Sequence, residues 1–383
     1  MKNYLLLLST SILLILSFPH TGSFTPFVFI GFVPLLLLRQ QFLASGKKPW
    51  KLALWTYTCF LLWNIGTTWW VANASLSGGI FAFTVNALLM SLVFGLWSFL
   101  DRKINARYSF FMLIPIWILF EFGHHRWDLS WPWLTLGNYF SVRTGWVQWY
   151  EWTGTLGGSA WILLVNLLVF RLYNVYRIVA KRNQYIFTIL GILLLPIVVS
   201  QILQVFAIPS LQTKTLNTVV VQPNIDPYNE KFSASNENEQ MQKLLQLSAV
   251  SAKKNTEFII WPETALASTI AEEQLASDPK IIQAQSFLST YKNAALITGA
   301  STYLTYVSAQ TPTARVFSNG QCCYDVFNTA LLIENGSAIQ KYHKSKLVAG
   351  VEQMPYPSLL KFLEPYALKL GGSFGSLGTQ KTT

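Results

Sequence analysis

Seven apolar stretches dominate the first 210 residues of the chain. They cover residues 4–19, 24–38, 52–72, 79–100, 109–123, 156–176 and 185–208. Several reach the roughly 20 residues that a helix needs to cross a bilayer, and flanking aromatic residues can help the shorter ones to span it. The pattern predicts a membrane domain of seven transmembrane helices over residues 1–210, with the first stretch retained as an anchor.

After residue 215 the pattern changes to short apolar strands that alternate with amphipathic helices. We predict strands at 219–222, 258–261 and 294–298, helices at 236–254 and 279–292, and a hairpin whose strands, 327–333 and 337–342, flank Asn335-Gly336. This alternation is typical of an α/β layered domain. The sequence therefore predicts a second domain over residues 215–383.

Composition and charge support this division. The chain is 52% hydrophobic and only 12% charged, which is unusual for a soluble protein. Residues 1–214 contain 15 Lys and Arg against 4 Asp and Glu, whereas the rest of the chain contains 13 of each, so the net charge of +11 belongs to the first half. These basic residues lie in short loops, and no basic stripe with interleaved aromatic residues follows. Nucleic acid is therefore not an expected partner.

The basic residues between the apolar stretches predict an orientation. If the N-terminus is cytoplasmic, twelve of them face the cytoplasm: Lys2, Arg39, Lys47, Lys48, Lys51, Arg102, Lys103, Arg107, Arg171, Arg177, Lys181 and Arg182. The opposite loops contain only Arg126 and Arg143. Under the positive-inside rule, this bias and seven crossings predict that residues 215–383 are extracytoplasmic.

A loop between the fifth and sixth stretches is rich in tryptophan. Six of these residues fall within 26 positions: Trp127, Trp131, Trp133, Trp146, Trp149 and Trp152. An aromatic belt at the level of the lipid headgroups is one explanation for these residues. Alternatively, the loop is an interfacial segment that shapes a lipid-access groove, with Arg126 and Arg143 as phosphate contacts.

Glu263 is the first candidate for chemistry. It follows a predicted strand and Pro262, and active sites of α/β folds collect at strand ends. Partial burial beside Trp261 and Pro262 would raise the pKa of its carboxyl group and suit it to general-base catalysis. The alternative is a structural role, because Glu263-Thr264-Ala265 can also open a helix.

Lys344 is the second candidate, at the end of the predicted hairpin. A cation at this position can stabilise the oxyanion of a tetrahedral intermediate. With Lys341 and Lys346 close by, a solvated surface lysine is the ordinary explanation.

The three cysteines offer no metal site. Cys59 lies in an apolar stretch, and the adjacent Cys322 and Cys323 cannot easily bridge to each other without strain. No Cys and His spacing of the kind that binds metals is present, so neither a metal nor a cofactor is expected.

In combination, the motifs resemble those of the bacterial apolipoprotein N-acyltransferases, membrane-bound members of the nitrilase-like superfamily. In the second half they lie at residues 219–225, Trp261-Pro262-Glu263, Gly299-Ala300, residues 327–330, residues 342–348 and Glu352. In the first half they lie at residues 32–35, 131–137 and 154–158, and at Asn166. The resemblance extends from about residue 1 to residue 378.

The resemblance implies a fold, a site and a reaction. The second domain would be nitrilase-like, with αββα layers, and the protein would lie in the bacterial inner membrane with residues 215–383 in the periplasm. Glu263 would be the general base, Lys344 the oxyanion-stabilising cation and Glu352 a second carboxylate near the site. A cysteine thiolate would take a fatty acyl group from a phospholipid donor. The thioester would then acylate the α-amine of a lipoprotein acceptor that carries diacylglyceryl-cysteine.

The chain departs from the family pattern in one important respect. The family's nucleophilic cysteine and a last transmembrane helix lie C-terminal to the lysine, whereas the 39 residues after Lys344 contain no cysteine. Cys322 and Cys323 precede Lys344, in the wrong order for this role. We therefore expect a C-terminally truncated family member with a partial nitrilase-like domain, inactive by itself. Ala349-Gly350-Val351-Glu352 also replaces the usual Pro-Phe-Gly-Glu, and Phe232 replaces a tryptophan.

Three hypotheses remain. The chain is an acyltransferase without its C-terminal part, a non-catalytic membrane protein that binds lipids or lipoproteins, or one chain of a split acyltransferase.

Overall fold

The computed structural model describes residues 2–46, 49–74, 76–104, 106, 108–206, 215–226, 230–232, 236–311, 313–317, 320, 323–349, 351–356, 359, 369–370, 373–374 and 377–380. The chain forms two compact units, Met1–Leu211 and Gln212–Thr383.

The first unit is helical, and each of the seven apolar stretches contains a helix. The helices are α1 (Lys2–Ser17), α2 (Val28–Gly31), α3 (Val33–Ala44), α4 (Pro49–Thr68), α5 (Leu76–Ile104), α6 (Leu113–His124), α7 (Tyr150–Val175) and α8 (Val179–Phe206). Within the described residues, four segments are long and apolar enough to cross a membrane: Thr25–Ala44, Leu76–Ile104, Tyr150–Val175 and Val179–Phe206. The count of seven crossings stays a prediction.

Aromatic side chains fill the core of this unit. Trp63, Trp97, Trp117, Tyr139 and Phe32 are among its largest fully buried side chains. They meet mainly edge to face, a favoured arrangement of aromatic rings; the Phe32 and Trp117 ring centroids, for example, lie 5.5 Å apart.

Asn166 supplies hydrogen-bond partners for the backbone at the break between α2 and α3. Its amide oxygen accepts a hydrogen bond from the backbone N–H of Phe32 at 2.8 Å, and its amide nitrogen donates to the carbonyl of Val28 at 2.8 Å. A backbone group without a partner in an apolar surrounding is costly, so a helix can break there only if a side chain supplies one. This explains an amide at position 166 of α7.

The second unit is an α/β domain built on one sheet. Its elements are β1 (Thr218–Val220), α9 (Glu237–Ser251), β2 (Phe258–Ile260), β3 (Leu266–Ala271), α10 (Pro279–Leu288), β4 (Ala295–Thr305), β5 (Tyr324–Ile333) and β6 (Gln340–His343), followed by a small separate pair, β7 (Lys369–Leu370) and β8 (Ser373–Phe374).

The six-stranded sheet has the order β1-β2-β4-β5-β6, and β3 also pairs with β4. The β1–β2, β2–β4 and β3–β4 pairs are parallel, whereas β4–β5 and β5–β6 are antiparallel. Its core contains Ile259, Trp261, Leu296 and Leu331, against which α9 and α10 pack Leu244 and Leu288. A helical unit with apolar segments of membrane-spanning length, followed by a mixed α/β domain, is the fold class that the sequence predicts.

Several local predictions differ from the structure. Strand β3 was not predicted, and β4 continues to Thr305 although its predicted end was residue 298. The second hairpin strand begins at Gln340, three residues later than predicted. Because residues 334–339 separate β5 from β6, Asn335-Gly336 is part of a longer loop, with Gly336 at φ +76°.

Candidate active site

Glu263 lies in a tight connection between two strands. It follows β2 and Trp261, whose indole N–H donates to the Ser248 hydroxyl at 2.9 Å. The next residue, Thr264, has φ +51°, and β3 then begins at Leu266, so Glu263 does not open a helix. A Cβ atom at Gly299 of β4 would lie 2.7 Å from the Glu263 Cα. Only glycine therefore lets β4 pass this close to the Glu263 backbone.

Lys344 immediately follows β6, and its side chain reaches both predicted carboxylates. Its Nζ lies 2.9 Å from Glu263 Oε1 and 2.9 Å from Glu352 Oε1. Its backbone N–H donates to the Asn328 carbonyl at 2.8 Å, which continues the β5–β6 pairing. The structure thus brings together all three residues that the sequence selected.

Asn328 is a fourth member of this cluster. Its amide nitrogen donates to Glu263 Oε1 at 2.5 Å and to Glu352 Oε1 at 3.0 Å. The two carboxylates therefore share two donors, Lys344 and Asn328, and are held side by side. The sequence indicates Asn328 only as part of the motif at residues 327–330. Its position on β5, beside the strand that leads to Lys344, is the signal that could have identified it.

The two glutamates differ in exposure and support. The Glu352 side chain is 13% exposed, and its Oε2 accepts the backbone N–H of Val348 at 2.7 Å. The Glu263 side chain is 61% exposed. Glu352 is thus fixed from several sides, whereas Glu263 remains open to an incoming group.

Lys231 adds a second positive charge near Glu263. Its Nζ donates to the Glu263 backbone carbonyl at 2.9 Å. Burial lowers the pKa of Lys231, and the negative charge of Glu263 offsets part of this effect.

The electrostatics of Glu263 correct one prediction. Burial alone would raise its pKa, but hydrogen bonds from Lys344 and Asn328, with the charges of Lys344 and Lys231, hold the pKa below its ordinary value. For Lys344, burial works to lower the pKa, but the bonds and charges of Glu263 and Glu352 raise it. The predicted rise for Glu263 is wrong because the sequence did not reveal how many donors surround it. At neutral pH, Glu263 is ionised and Lys344 protonated, so Glu263 is ready to accept a proton and Lys344 to stabilise an anion.

The described residues contain one free thiol, and it lies in the first unit. Cys59 is buried there, with its sulfur 3.5 Å from the Ser11 hydroxyl. Cys323 takes part in a disulfide bond, and Cys322 lies outside the described residues.

The helical unit, with its four apolar helices of membrane-spanning length, and the α/β domain, with its Glu–Lys–Glu cluster, each match a known protein family. Residues 218–380 match the family Carbon-nitrogen hydrolase, and residues 10–168 match the family Apolipoprotein N-acyltransferase N-terminal domain. The chain is 27% identical to the apolipoprotein N-acyltransferase of Chlorobaculum tepidum over 97% of its own length and 69% of that relative. The chain belongs to the apolipoprotein N-acyltransferase family.

Two further relatives have the same kind of name. Apolipoprotein N-acyltransferase 2 of Treponema denticola is 28% identical over 62% of this chain and 46% of its own length. The apolipoprotein N-acyltransferase of Geobacter metallireducens is 26% identical over 69% of this chain and 51% of its own length. These two matches thus span about half the length of the relatives. With its apolar helices, the family membership indicates a multi-pass bacterial membrane protein.

Proposed function

We propose that this chain contributes the base and the oxyanion-stabilising cation of a phospholipid-to-lipoprotein acyl transfer. The observation that supports this is the position of the Lys344 amine, 2.9 Å from one carboxylate oxygen of each of Glu263 and Glu352. In this proposal Glu263 is the general base, Lys344 stabilises the oxyanion, and Glu352 keeps Lys344 charged and in place.

The first half-reaction transfers the acyl group to a thiol. Glu263 takes the proton from the thiol, and the thiolate attacks the ester carbonyl of a phospholipid. Lys344 stabilises the negative oxygen of the tetrahedral intermediate. The intermediate collapses to a thioester, and the departing lysophospholipid oxygen takes the proton back from Glu263.

The second half-reaction consumes the thioester. The α-amine of the diacylglyceryl-cysteine of a lipoprotein attacks the thioester carbonyl and gives its proton to Glu263. Collapse forms an amide and expels the thiolate, which takes the proton back from Glu263. The Glu263 side chain is 61% exposed, which suits a base that must reach two different acyl acceptors in turn, first the thiol and then the amine.

In this proposal the thiol comes from polypeptide beyond these 383 residues, either as a continuation of the chain or as a separate chain. The family pattern locates the cysteine C-terminal to the lysine, and none of the residues after Lys344 is a cysteine. A polypeptide of these residues alone should therefore not catalyse the transfer, because loss of a nucleophile typically costs several orders of magnitude in rate.

The proposed arrangement puts residues 215–383 on the periplasmic side of the inner membrane. The twelve-to-two distribution of basic residues between the two predicted sides of the membrane supports this orientation.

The test compares the 383-residue chain with a version extended at its C-terminus by a cysteine-containing family segment. Both are purified in detergent and given a labelled phospholipid and a diacylglyceryl-cysteine peptide. We expect labelled peptide only with the extended chain, and a loss of about 10²–10⁴ in rate when Glu263→Gln is introduced. Labelling by the unextended chain, abolished by substituting Cys322 or Cys323, would contradict the proposal. Tight lipid binding by an extended chain that never transfers the label would favour a non-catalytic role.

A further inference from the structure

A second cluster of charged residues lies in the α/β domain, around Glu272. The Glu272 side chain is 1% exposed. Its Oε1 accepts the Thr302 hydroxyl at 2.9 Å and lies 2.6 Å from His343 Nε2, and its Oε2 accepts from the Lys341 amine. Burial would raise the pKa of Glu272, but the hydrogen bonds from His343, Lys341 and Thr302 lower it to about 2. The carboxylate is thus ionised and bonded to side chains of β4 and β6.

This cluster lies on the opposite face of the sheet from the Glu263 site. Thr329 of β5 is paired with His343, and Leu331 is paired with Lys341. Because side chains alternate between the two faces of a strand, His343 and Lys341 share a face with Thr329. Asn328, one residue before Thr329, and Lys344, one residue after His343, point to the other face and meet Glu263.

The register of β6 decides which of these faces Lys344 occupies. A slip of one residue moves every side chain of a strand to the other face. Such a slip would bring Lys344 towards Glu272 and His343 towards Glu263. The position of the Lys344 amine therefore depends on the pairing of a strand of only four residues.

Little else in β6 specifies that pairing. None of its residues, Gln340 to His343, is fully buried, and no alternation of apolar and polar side chains marks its faces. The six-residue connection from β5 is longer than the two-residue turns that fix a hairpin register. Face-specific contacts are the bonds from His343 and Lys341 to Glu272 and the stacking of His343 on Phe327, with ring centroids 3.9 Å apart. Ile339, the residue before β6, also packs against the core.

We propose that Glu272 is a positioning residue that fixes the register of β6 and thereby directs Lys344 to the face where Glu263 and Glu352 lie. The importance of Lys344 rests on the proposed function, but the strand register does not. A test that reads the register and the surroundings of the Lys344 amine therefore fails or succeeds independently of acyl transfer.

The first measurement is a cross-strand disulfide. Ala330 of β5 is paired with Tyr342 of β6, on the same face as Lys344. In the full chain with Cys59, Cys322 and Cys323 replaced by serine, Ala330→Cys with Tyr342→Cys should form a disulfide on mild oxidation. Adding Glu272→Leu should remove most of it. The control is Glu237→Leu, which removes another carboxylate of this domain, bonded to the Ser268 backbone and to Lys280, without contacting β6.

The second measurement is the pH dependence of Lys344 modification by an amine-reactive reagent, followed by mass spectrometry in the native background. The two carboxylates hold the pKa of Lys344 above its ordinary value. Glu272→Leu should therefore move the profile to lower pH and raise the rate at a fixed mildly alkaline pH several-fold, whereas Glu237→Leu should not. Loss of stability without a register change would leave the profile of the folded fraction unmoved.

A charge exchange separates register from general instability. Glu272→Lys should disrupt both readouts, and Glu272→Lys combined with Lys341→Glu should restore much of each, because the ion pair between the two positions is re-formed. Retention of the disulfide and of the Lys344 profile in Glu272→Leu would overturn the proposal. Equal losses in Glu237→Leu, or a charge exchange that restores neither readout, would also overturn it.

Discussion

Replacing Lys344 by methionine should weaken the α/β domain in a way that depends on pH. The change removes the bonds to Glu263 and Glu352, each 2.9 Å long, and leaves Asn328 as a remaining side-chain donor to both carboxylates. The matched control is Lys346→Met, two residues away, because Lys346 is exposed.

The magnitude follows from the burial of the two partners. The bond to Glu352, whose side chain is 13% exposed, counts as a hydrogen bond between charged groups, worth about 1.5–3 kcal/mol. The bond to Glu263, 61% exposed, is screened by solvent and is worth about 0.2–1 kcal/mol. We expect Lys344→Met to cost about 2–4 kcal/mol near neutral pH and Lys346→Met less than about 0.5 kcal/mol.

The pH window follows from the directions of the pKa shifts. The folded-state pKa of Glu263 is lowered, so its contribution is present above the ordinary carboxyl value of about 4.3 and is lost as the pH falls through the folded value. The pKa of Lys344 is raised, so its contribution is present below the ordinary lysine value of about 10.4 and is lost as the pH rises through the folded value. The cost of the substitution should therefore be largest between about pH 5 and pH 10.

Hydrogen exchange of the full chain in detergent, read by mass spectrometry over β5 and β6, measures this loss of stability locally. At neutral pH the slowest amides of these strands should exchange about 30-fold faster or more in Lys344→Met, since 1.4 kcal/mol corresponds to a factor of ten. The difference from Lys346→Met should shrink progressively as the pH is lowered below about 4.3. Equal protection in the two variants at neutral pH, or a difference that grows on acidification, would refute the reasoning.

Three other predictions test separate parts of the structure. Gly299→Val should cost about 1–3 kcal/mol in thermal unfolding because its Cβ would lie 2.3 Å from the Thr264 backbone nitrogen, whereas Gly95→Ala, which faces open space, should change little. Asn166→Leu should cost at least about 2 kcal/mol by leaving the backbone of Phe32 and Val28 without partners, and Asn174→Leu, at an exposed site of α7, should be tolerated. In a background with serine at the native cysteine positions, an impermeant thiol reagent should label Val250→Cys in cells with a permeabilised outer membrane and an intact inner membrane, and Arg177→Cys only after the inner membrane is opened; the reverse pattern would invert the proposed orientation.

The sequence predicted elements whose side chains follow a clear local pattern. The apolar stretches gave the helices of the first unit, and β1, β2, α9 and α10 lie close to their predicted positions. Glu263 and Lys344 were found because each follows a strand and each belongs to a recognisable motif.

What the sequence did not reveal depends on contacts between distant residues. Strand β3, Leu-Ala-Ser-Thr-Ile-Ala, lacks a simple alternation, and its pairing with β4 decides its structure. Glu272 lies 71 residues from His343, and no local pattern connects them. The lowered pKa of Glu263 likewise depends on donors from β5 and from beyond β6, which meet it only in the folded sheet.

The central claim is that Glu263 and Lys344 activate a thiol for acyl transfer, and detection of the thioester tests it most directly. The 383-residue chain, its cysteine-bearing extension and the Glu263→Gln and Lys344→Met variants of that extension are incubated with a phospholipid and examined by intact-protein mass spectrometry. We predict a hydroxylamine-sensitive acyl adduct on the introduced cysteine of the extended chain, strongly reduced in both variants and absent from the unextended chain. An adduct that forms equally fast in the extended chain and in both variants, or one that forms on the 383-residue chain itself, would contradict the claim.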